Sequence, residues 1–312
     1  MYKITEDFLL TNQYSKTLYH DYASKMPIID FHNHLSAEVI YKNEEFKNIG
    51  QILLEGDHYK WRVLRTFGVP EEEITTHPDF EQLFYKFCEI MPKLIGNPLY
   101  HWMYLELKQY FDTDMYVNAE NSKALYQHCN RIIKERNYTP RKLLDMVGVE
   151  SLCTTDDPID SLEYHKLLQD EGYQCLPTFR PDKIINMEKS DYISYMKKLE
   201  SVVGFEICNA QTLVEALENR LSFFIENGCK ISDHALDIVV YDDDFSDIDR
   251  IIAEKDLSQL ATYKTFVLTE LAKLYNKYNI AQQYHIGAAR DASDSKFESL
   301  GPDTGFDYIS DQ

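Results

Sequence analysis

The chain has 312 residues, 44% of them hydrophobic and 13% aromatic, which is ample for a sizeable core in one large domain or a domain plus an insertion. Its 52 acidic against 32 basic residues give a formal net charge of −20, which disfavours nucleic acid and anionic membranes as partners. An anionic substrate would need a local pocket of arginine, lysine or metal to overcome that field. Six cysteines (Cys88, Cys129, Cys153, Cys175, Cys208 and Cys229) show no C-x-x-C spacing and are expected to be free thiols in a reducing compartment. The N-terminal Met1-Tyr2-Lys3-Ile4 does not open a signal peptide, and no apolar run approaches the roughly 18 to 20 residues of a membrane span. A soluble cytoplasmic protein is expected.

The first informative element is Pro27–His34, an apolar run ending in Asp30-Phe31-His32-Asn33-His34. Side chains alternate along a strand, so His32 and His34 would share a face and could share a metal ion. The residues before them, Met26-Pro27-Ile28-Ile29-Asp30, predict a buried parallel strand entering the rim where (β/α) barrels carry their chemistry. Further strands are predicted at 151–157, 174–182, 228–234 and 281–287. Helices are predicted at 161–171, 210–227 and 257–278, the last with Leu260, Tyr263, Val267, Leu268 and Leu271 as its apolar stripe. Strand and helix in alternation predict an α/β fold with a parallel sheet.

Residues 35–150, between the first two strands, far exceed a βαβ crossover. Helical patterns at 59–62, 80–91, 98–110 and 121–135 predict an inserted, mainly helical subdomain there. The expected division is 1–34 (N-terminal segment and first strand), 35–150 (insertion) and 151–312 (the rest of the barrel). Five strands are recognisable where a (β/α)8 barrel has eight.

Each predicted strand ends in polar residues. Thr154-Thr155-Asp156-Asp157-Pro158 suits capping of the next helix better than ligand binding. In Thr178-Phe179-Arg180-Pro181-Asp182, Arg180 offers a planar fork to a carboxylate or phosphate, or equally a salt bridge to Asp182. Ser232-Asp233-His234 and Tyr284-His285-Ile286-Gly287-Ala288-Ala289-Arg290 bring two more histidines and an arginine. Four rim histidines with rim arginines and aspartates suit a metal-assisted site for an anionic, oxygen-rich substrate. The stretch Asp57-His58-Tyr59-Lys60-Trp61-Arg62 reads evenly as surface helix or site.

Together these motifs, with Gly96-Asn97-Pro98-Leu99-Tyr100-His101-Trp102 and Leu300-Gly301-Pro302-Asp303-Thr304-Gly305-Phe306-Asp307, resemble uronate isomerase (glucuronate isomerase), a branch of the amidohydrolase superfamily. The resemblance covers nearly the whole sequence in the family's order. It implies a metal-dependent amidohydrolase-type (β/α)8 TIM barrel and an aldose–ketose isomerase of carbohydrate metabolism. The implied reactions link D-glucuronate with D-fructuronate and D-galacturonate with D-tagaturonate, by C2–C1 proton transfer through an enediol. One divalent metal ion is implied, Zn first and Mn, Fe or Co as alternatives. His32, His34 and His285 are its candidate ligands, Tyr59 and His58 the candidate catalytic residues, and Arg180, Arg290, Asp182 and Trp61 the candidate substrate-binding set. The implied partner is a small uronate sugar, with no nucleic acid and no membrane; a homo-oligomer is left open.

One departure accompanies the resemblance. The family's barrel finishes with further strands, the last bearing an Asp-Ser-Arg-like motif that ligates the metal and offers a base. Nothing after Phe306 supplies that motif, and Asp303 and Asp307 belong to an earlier one. The expectation is a protein truncated at its C-terminus relative to the family, with little isomerase activity alone. The alternatives are a metal-dependent hydrolase of the same superfamily and an inactive homologue that binds ligand or another polypeptide.

Overall fold

The computed structural model describes residues 4–310. Met1, Tyr2 and Lys3 of the stretch read for a leader, and the closing Asp311 and Gln312, lie outside the described residues. The molecule divides into two compact units. One comprises Met1–Ile28, Asn43–Val149 and Arg290–Asp307; the other comprises Ile29–Lys42, Glu150–Ala289 and Tyr308–Gln312.

The strands are β1 (Ile28–Asp30), β2 (Val149–Cys153), β3 (Cys175–Leu176), β4 (Ile231–Leu236), β5 (Ala281–Ile286), β6 (Ala288–Ala289) and β7 (Tyr308–Ile309). The order β1-β2-β3 forms one sheet and β4-β5 another. The β2–β3 and β4–β5 pairs are parallel. Parallel bridges Asp156↔Phe179 and Phe179↔Ser232 carry the succession from the end of β2 to β4. The class is α/β with parallel pairing. The strands are shorter than the apolar runs that predict them, and β1 departs furthest from expectation: Ile28 and Ile29 are 43% and 66% exposed, so it is not a buried strand. The reason is its edge position, with β2 alone beside it in the sheet.

The first unit is helical: α1 (His58–Thr66), α2 (Phe80–Ile90), α3 (Pro98–Phe111) and α4 (Ser122–Arg136). Local chemistry sets their ends. The Asp57 carboxylate accepts the Lys60 N–H at 2.9 Å, Asn97 caps α3 with Pro98 in its first turn, and Asp112 ends α3 at φ 47°. Phe84, Phe87, Leu107, Phe111, Leu125 and Tyr138 meet in the core.

In the second unit α5 (Glu163–Asp170), α6 (Tyr192–Val203), α7 (Ala210–Glu226) and α8 (Leu260–Tyr278) accompany the strands. Asn209 and Thr212 make a reciprocal capping box at the start of α7. Of the predicted α8 stripe, Tyr263, Val267 and Leu271 are fully buried, beside Phe179, Phe224 and Tyr275. Phe179 packs edge-on against Phe224 at 5.2 Å, which ties the middle of the parallel succession to α7.

Candidate active site

The second unit gathers three potential metal ligands from separate elements. Asp233 lies in β4 and is fully buried. His285 lies in β5, two positions past Gln283, which is opposite Asp233. Its Nδ1 is 2.7 Å from Asp233 Oδ1. His32 comes from the loop after β1, and its Nδ1 lies 3.8 Å from Asp233 Oδ2. One donor atom from each of His32, Asp233 and His285 falls within 4.8 Å of the others.

His32 and His34 meet for a reason other than strand alternation. β1 ends at Asp30, so both histidines lie in a loop. That loop is held by side chains. Asn33 Nδ2 donates to Asp30 Oδ2 at 2.6 Å, and Asn33 Oδ1 accepts the Leu35 N–H at 2.6 Å. Thr155 Oγ1 donates to the Asn33 carbonyl at 3.0 Å, and Gln283 Nε2 to that of Phe31 at 3.2 Å. The two imidazoles then approach Nε2 to Nε2 at 3.1 Å, with their planes at 89°.

The electrostatics suit a cation. Asp233 Oδ2 is buried without a hydrogen bond, and so is His32 Nδ1. Arg180 Nη1 is 3.0 Å from Asp233 Oδ2, an ion pair outside hydrogen-bond geometry. Burial holds the His32 pKa below the ordinary imidazole value, against the pull of Asp233. His32 is therefore neutral at neutral pH, the form that ligates metal. A carboxylate oxygen and an imidazole nitrogen without hydrogen bonds, beside a second imidazole, are the donor set that Zn or a similar divalent ion takes, so the residues present fit the implied metal.

Arg180 meets both alternatives read from the sequence. Its Nε donates to Asp182 Oδ2 at 2.7 Å while Nη1 faces Asp233. Asp182 also accepts the Ala235 N–H, and burial raises its pKa against the opposing effect of Arg180. Two expectations are corrected here. His234 is not a rim histidine: it points from the opposite face of β4 into the core, fully buried beside Tyr275 and Tyr284, and burial lowers its pKa to about 4. Strict alternation from Asp233 would have placed it there. The Thr154–Asp157 stretch does not cap the next helix: α5 has Leu162 at its cap with no side-chain bond. Asp156 instead accepts Thr154 Oγ1 at 2.6 Å and the Thr178 N–H at 3.0 Å, and Asp157 accepts the Tyr195 hydroxyl at 2.6 Å. Asp233 itself went unassigned from sequence, because His234 drew the chemical reading of that strand end.

His58, Tyr59, Trp61 and Arg290 belong to the first unit. Asp57 starts α1 as its cap and presents His58 and Tyr59 in the first turn, with their rings 4.4 Å apart. His58 Nε2 is buried without a hydrogen-bond partner, whereas Tyr59 is 55% exposed. Burial works against the charge of Arg290, but Asp307, whose Oδ2 accepts Arg290 Nη1 at 2.8 Å, and to a smaller extent Tyr59 favour it, so its pKa lies above the ordinary value. Trp61 Nε1 donates to the Leu54 carbonyl at 2.7 Å and its ring packs on the helical core, so its one polar group is used within the fold.

The chain matches the sequence profile described as glucuronate isomerase over residues 1–312. Uronate isomerase of Caldanaerobacter subterraneus is 42% identical over 98% of this chain and 68% of its own length, and that of Caldicellulosiruptor bescii is 43% identical over the same shares. The crystal structure of uronate isomerase from Thermotoga maritima superposes with a TM-score of 0.92 at 33% identity, covering 100% of this chain and 70% of that one. Glucuronate isomerase from Caulobacter crescentus has the same fold, with a TM-score of 0.89 at 23% identity over 99% of this chain and 68% of that one. The chain thus spans about two thirds of the length of these relatives. With sequence and fold in agreement along its whole length, the chain belongs to the uronate isomerase family of enzymes.

Proposed function

We propose that this protein carries the metal-binding part of an aldose–ketose isomerase acting on D-glucuronate and D-galacturonate, with D-fructuronate and D-tagaturonate as products. The observation that supports this most is the convergence of His32, Asp233 and His285, with Asp233 Oδ2 and His32 Nδ1 left without a hydrogen bond. These residues, with His34 beside His32, would hold one divalent ion, Zn before Mn, Fe or Co. When bound, that ion supplies Lewis-acid polarisation of a sugar oxygen. Arg180 stands beside the same carboxylate, and we assign it to the substrate carboxylate, which together with the bound ion would offset a net charge of −20. Tyr59 and His58 are the groups we assign to proton handling during C2–C1 transfer, and Arg290 and Asp182 to substrate positioning. Trp61 would contribute apolar wall only.

The parallel succession of strands supports a (β/α) barrel, and we take residues 35–150 as a mainly helical insertion between its first two strands. Six cysteines outside any disulfide suit a reducing, cytoplasmic setting. Among the described residues no helix is long and apolar enough to cross a membrane.

The reading is tested by calorimetry on the purified protein, with and without Zn²⁺ or Mn²⁺. Metal-dependent binding of D-glucuronate and D-galacturonate but not D-glucose is expected, with ketose as the product of any turnover. Metal-dependent hydrolysis of an amide or ester without uronate binding would favour the hydrolase reading instead, and equal binding of glucose and uronate would overturn the substrate class.

A further inference from the structure

The Gly301–Asp307 stretch stands out in the sequence, yet no reacting group has been assigned to it. In the structure it belongs to the same unit as α1. Gly305 has a φ of +86°, and a Cβ there would lie 2.6 Å from the His58 carbonyl oxygen. Only glycine fits this combination of conformation and close approach. The approach is to the backbone of the first turn of α1, the turn that carries His58 and Tyr59.

Arg65, two turns along the same helix, holds the segment from its other side. Its Nη1 donates to the Thr304 carbonyl, and its guanidinium lies 4.4 Å from the centroid of the Phe306 ring. A fork of two bonds to Glu71, at 2.8 and 2.7 Å, fixes the guanidinium in that position. The Phe306 carbonyl accepts the Ala292 N–H at 2.7 Å. The segment ends at Asp307, whose Oδ1 accepts the Asp291 N–H at 3.1 Å and whose Oδ2 accepts Arg290 Nη1 at 2.8 Å. Arg290 in turn interacts electrostatically with Tyr59.

We infer that Gly301–Asp307 is a clamp on the Tyr59 turn, and that Asp307 is a positioning residue that holds Arg290 against the Tyr59 hydroxyl. The inference rests on the assignment of Tyr59 to the reaction, made above. The contacts form a closed circuit: Gly305 seats the segment on the carbonyl of His58, Arg65 fixes it, and Asp307 returns through Arg290 to the residue after His58. A purely structural turn would need the glycine and Arg65. The Asp291 N–H uses one oxygen of Asp307, which an asparagine would supply as well; only the bond to Arg290 draws on the carboxylate charge.

The experiment places 3-fluorotyrosine at position 59 and follows its ¹⁹F resonance. Asp307→Asn keeps the shape and removes the charge. The expected result is a shifted and broadened resonance, matched in direction by Arg290→Gln and partly restored by Asp307→Glu, with the far-UV circular dichroism unchanged. A resonance that moves in Arg290→Gln but not in Asp307→Asn would overturn the role of Asp307. Loss of the fold in Asp307→Asn, but not in Asp307→Glu or Arg290→Gln, would also overturn it, since the carboxylate would then be structural. D-Glucuronate added to the unaltered labelled protein separates the two claims. A ligand-insensitive resonance would remove Tyr59 from the reaction and leave the clamp standing.

Discussion

Asp233 has no exposed surface and faces Arg180, His285 and His32. A buried carboxylate with no compensation is strongly unfavourable, and here Arg180, His285 and His32 supply the compensation. Arg180 is shared between Asp233 and Asp182, which a lysine ammonium cannot reproduce in one plane. Arg180→Lys is therefore expected to weaken D-glucuronate binding by about 1.5 to 3 kcal/mol, the range for hydrogen bonds to charged groups. Binding of a neutral sugar should be weak in both proteins. Equal losses of metal and uronate would show that Arg180 acts chiefly by holding Asp233 in place. At this scale residue types were legible in the sequence but directions only partly so. His32 and His285 stood out by chemistry, whereas Asp233 and His234 could be separated only by deciding which face of β4 looks inward.

The long helices were the most legible elements, because a 3.6-residue stripe repeats several times along each; α7 and α8 lie within a few residues of their expected limits. The strands were less so, since short apolar runs continue into loops, and the loop carrying His32 and His34 is shaped by Asn33 and Thr155. Helix packing gives one prediction. In the Ile49–Leu54 helix, a Cβ on Gly50 would come within 2.1 Å of the Phe80 carbonyl oxygen at the start of α2. Gly50→Ala should destabilise the protein by about 1 to 3 kcal/mol or more in urea unfolding, as overpacking against rigid backbone does. An unchanged midpoint would mean the two helices separate freely.

A second element-scale prediction concerns the ends of β2 and α5. Thr154 Oγ1 links Asp156 and His165 Nε2, at 2.6 and 2.8 Å. Burial raises the Asp156 pKa to about 6 and lowers that of His165 to about 4, from ordinary values of 3.8 and 6.5. The signs oppose. As pH falls from 6.5 to 4 the unfolded state takes the histidine proton first, which removes stability. From 6 to 3.8 the folded state takes the aspartate proton first, which adds it. The parent protein should therefore respond weakly to pH through this pair. Asp156→Asn removes the offset and should lose up to ~3 kcal/mol of stability between pH 6.5 and 4, at 1.36 kcal/mol per pKa unit. Parallel denaturation profiles for parent and variant across that range would refute the coupling.

For the whole molecule, the parallel α/β class followed from the order of patterns, but the composition of the units did not. Arg290–Asp307 joins the helical unit through contacts such as that between Arg65 and Thr304, far apart in sequence and without a periodic signature. Ile29–Lys42 likewise groups with Glu150–Ala289. The second of these groupings brings His32 to Asp233 and His285, so the metal group tests the fold and the family chemistry together. The most direct measurement is equilibrium metal binding by the purified parent protein and by Asp233→Asn, using Zn²⁺ with elemental analysis after dialysis. One ion per molecule, lost in Asp233→Asn, is the predicted result. Full retention of the ion by Asp233→Asn, or no uptake by the parent protein, would contradict it.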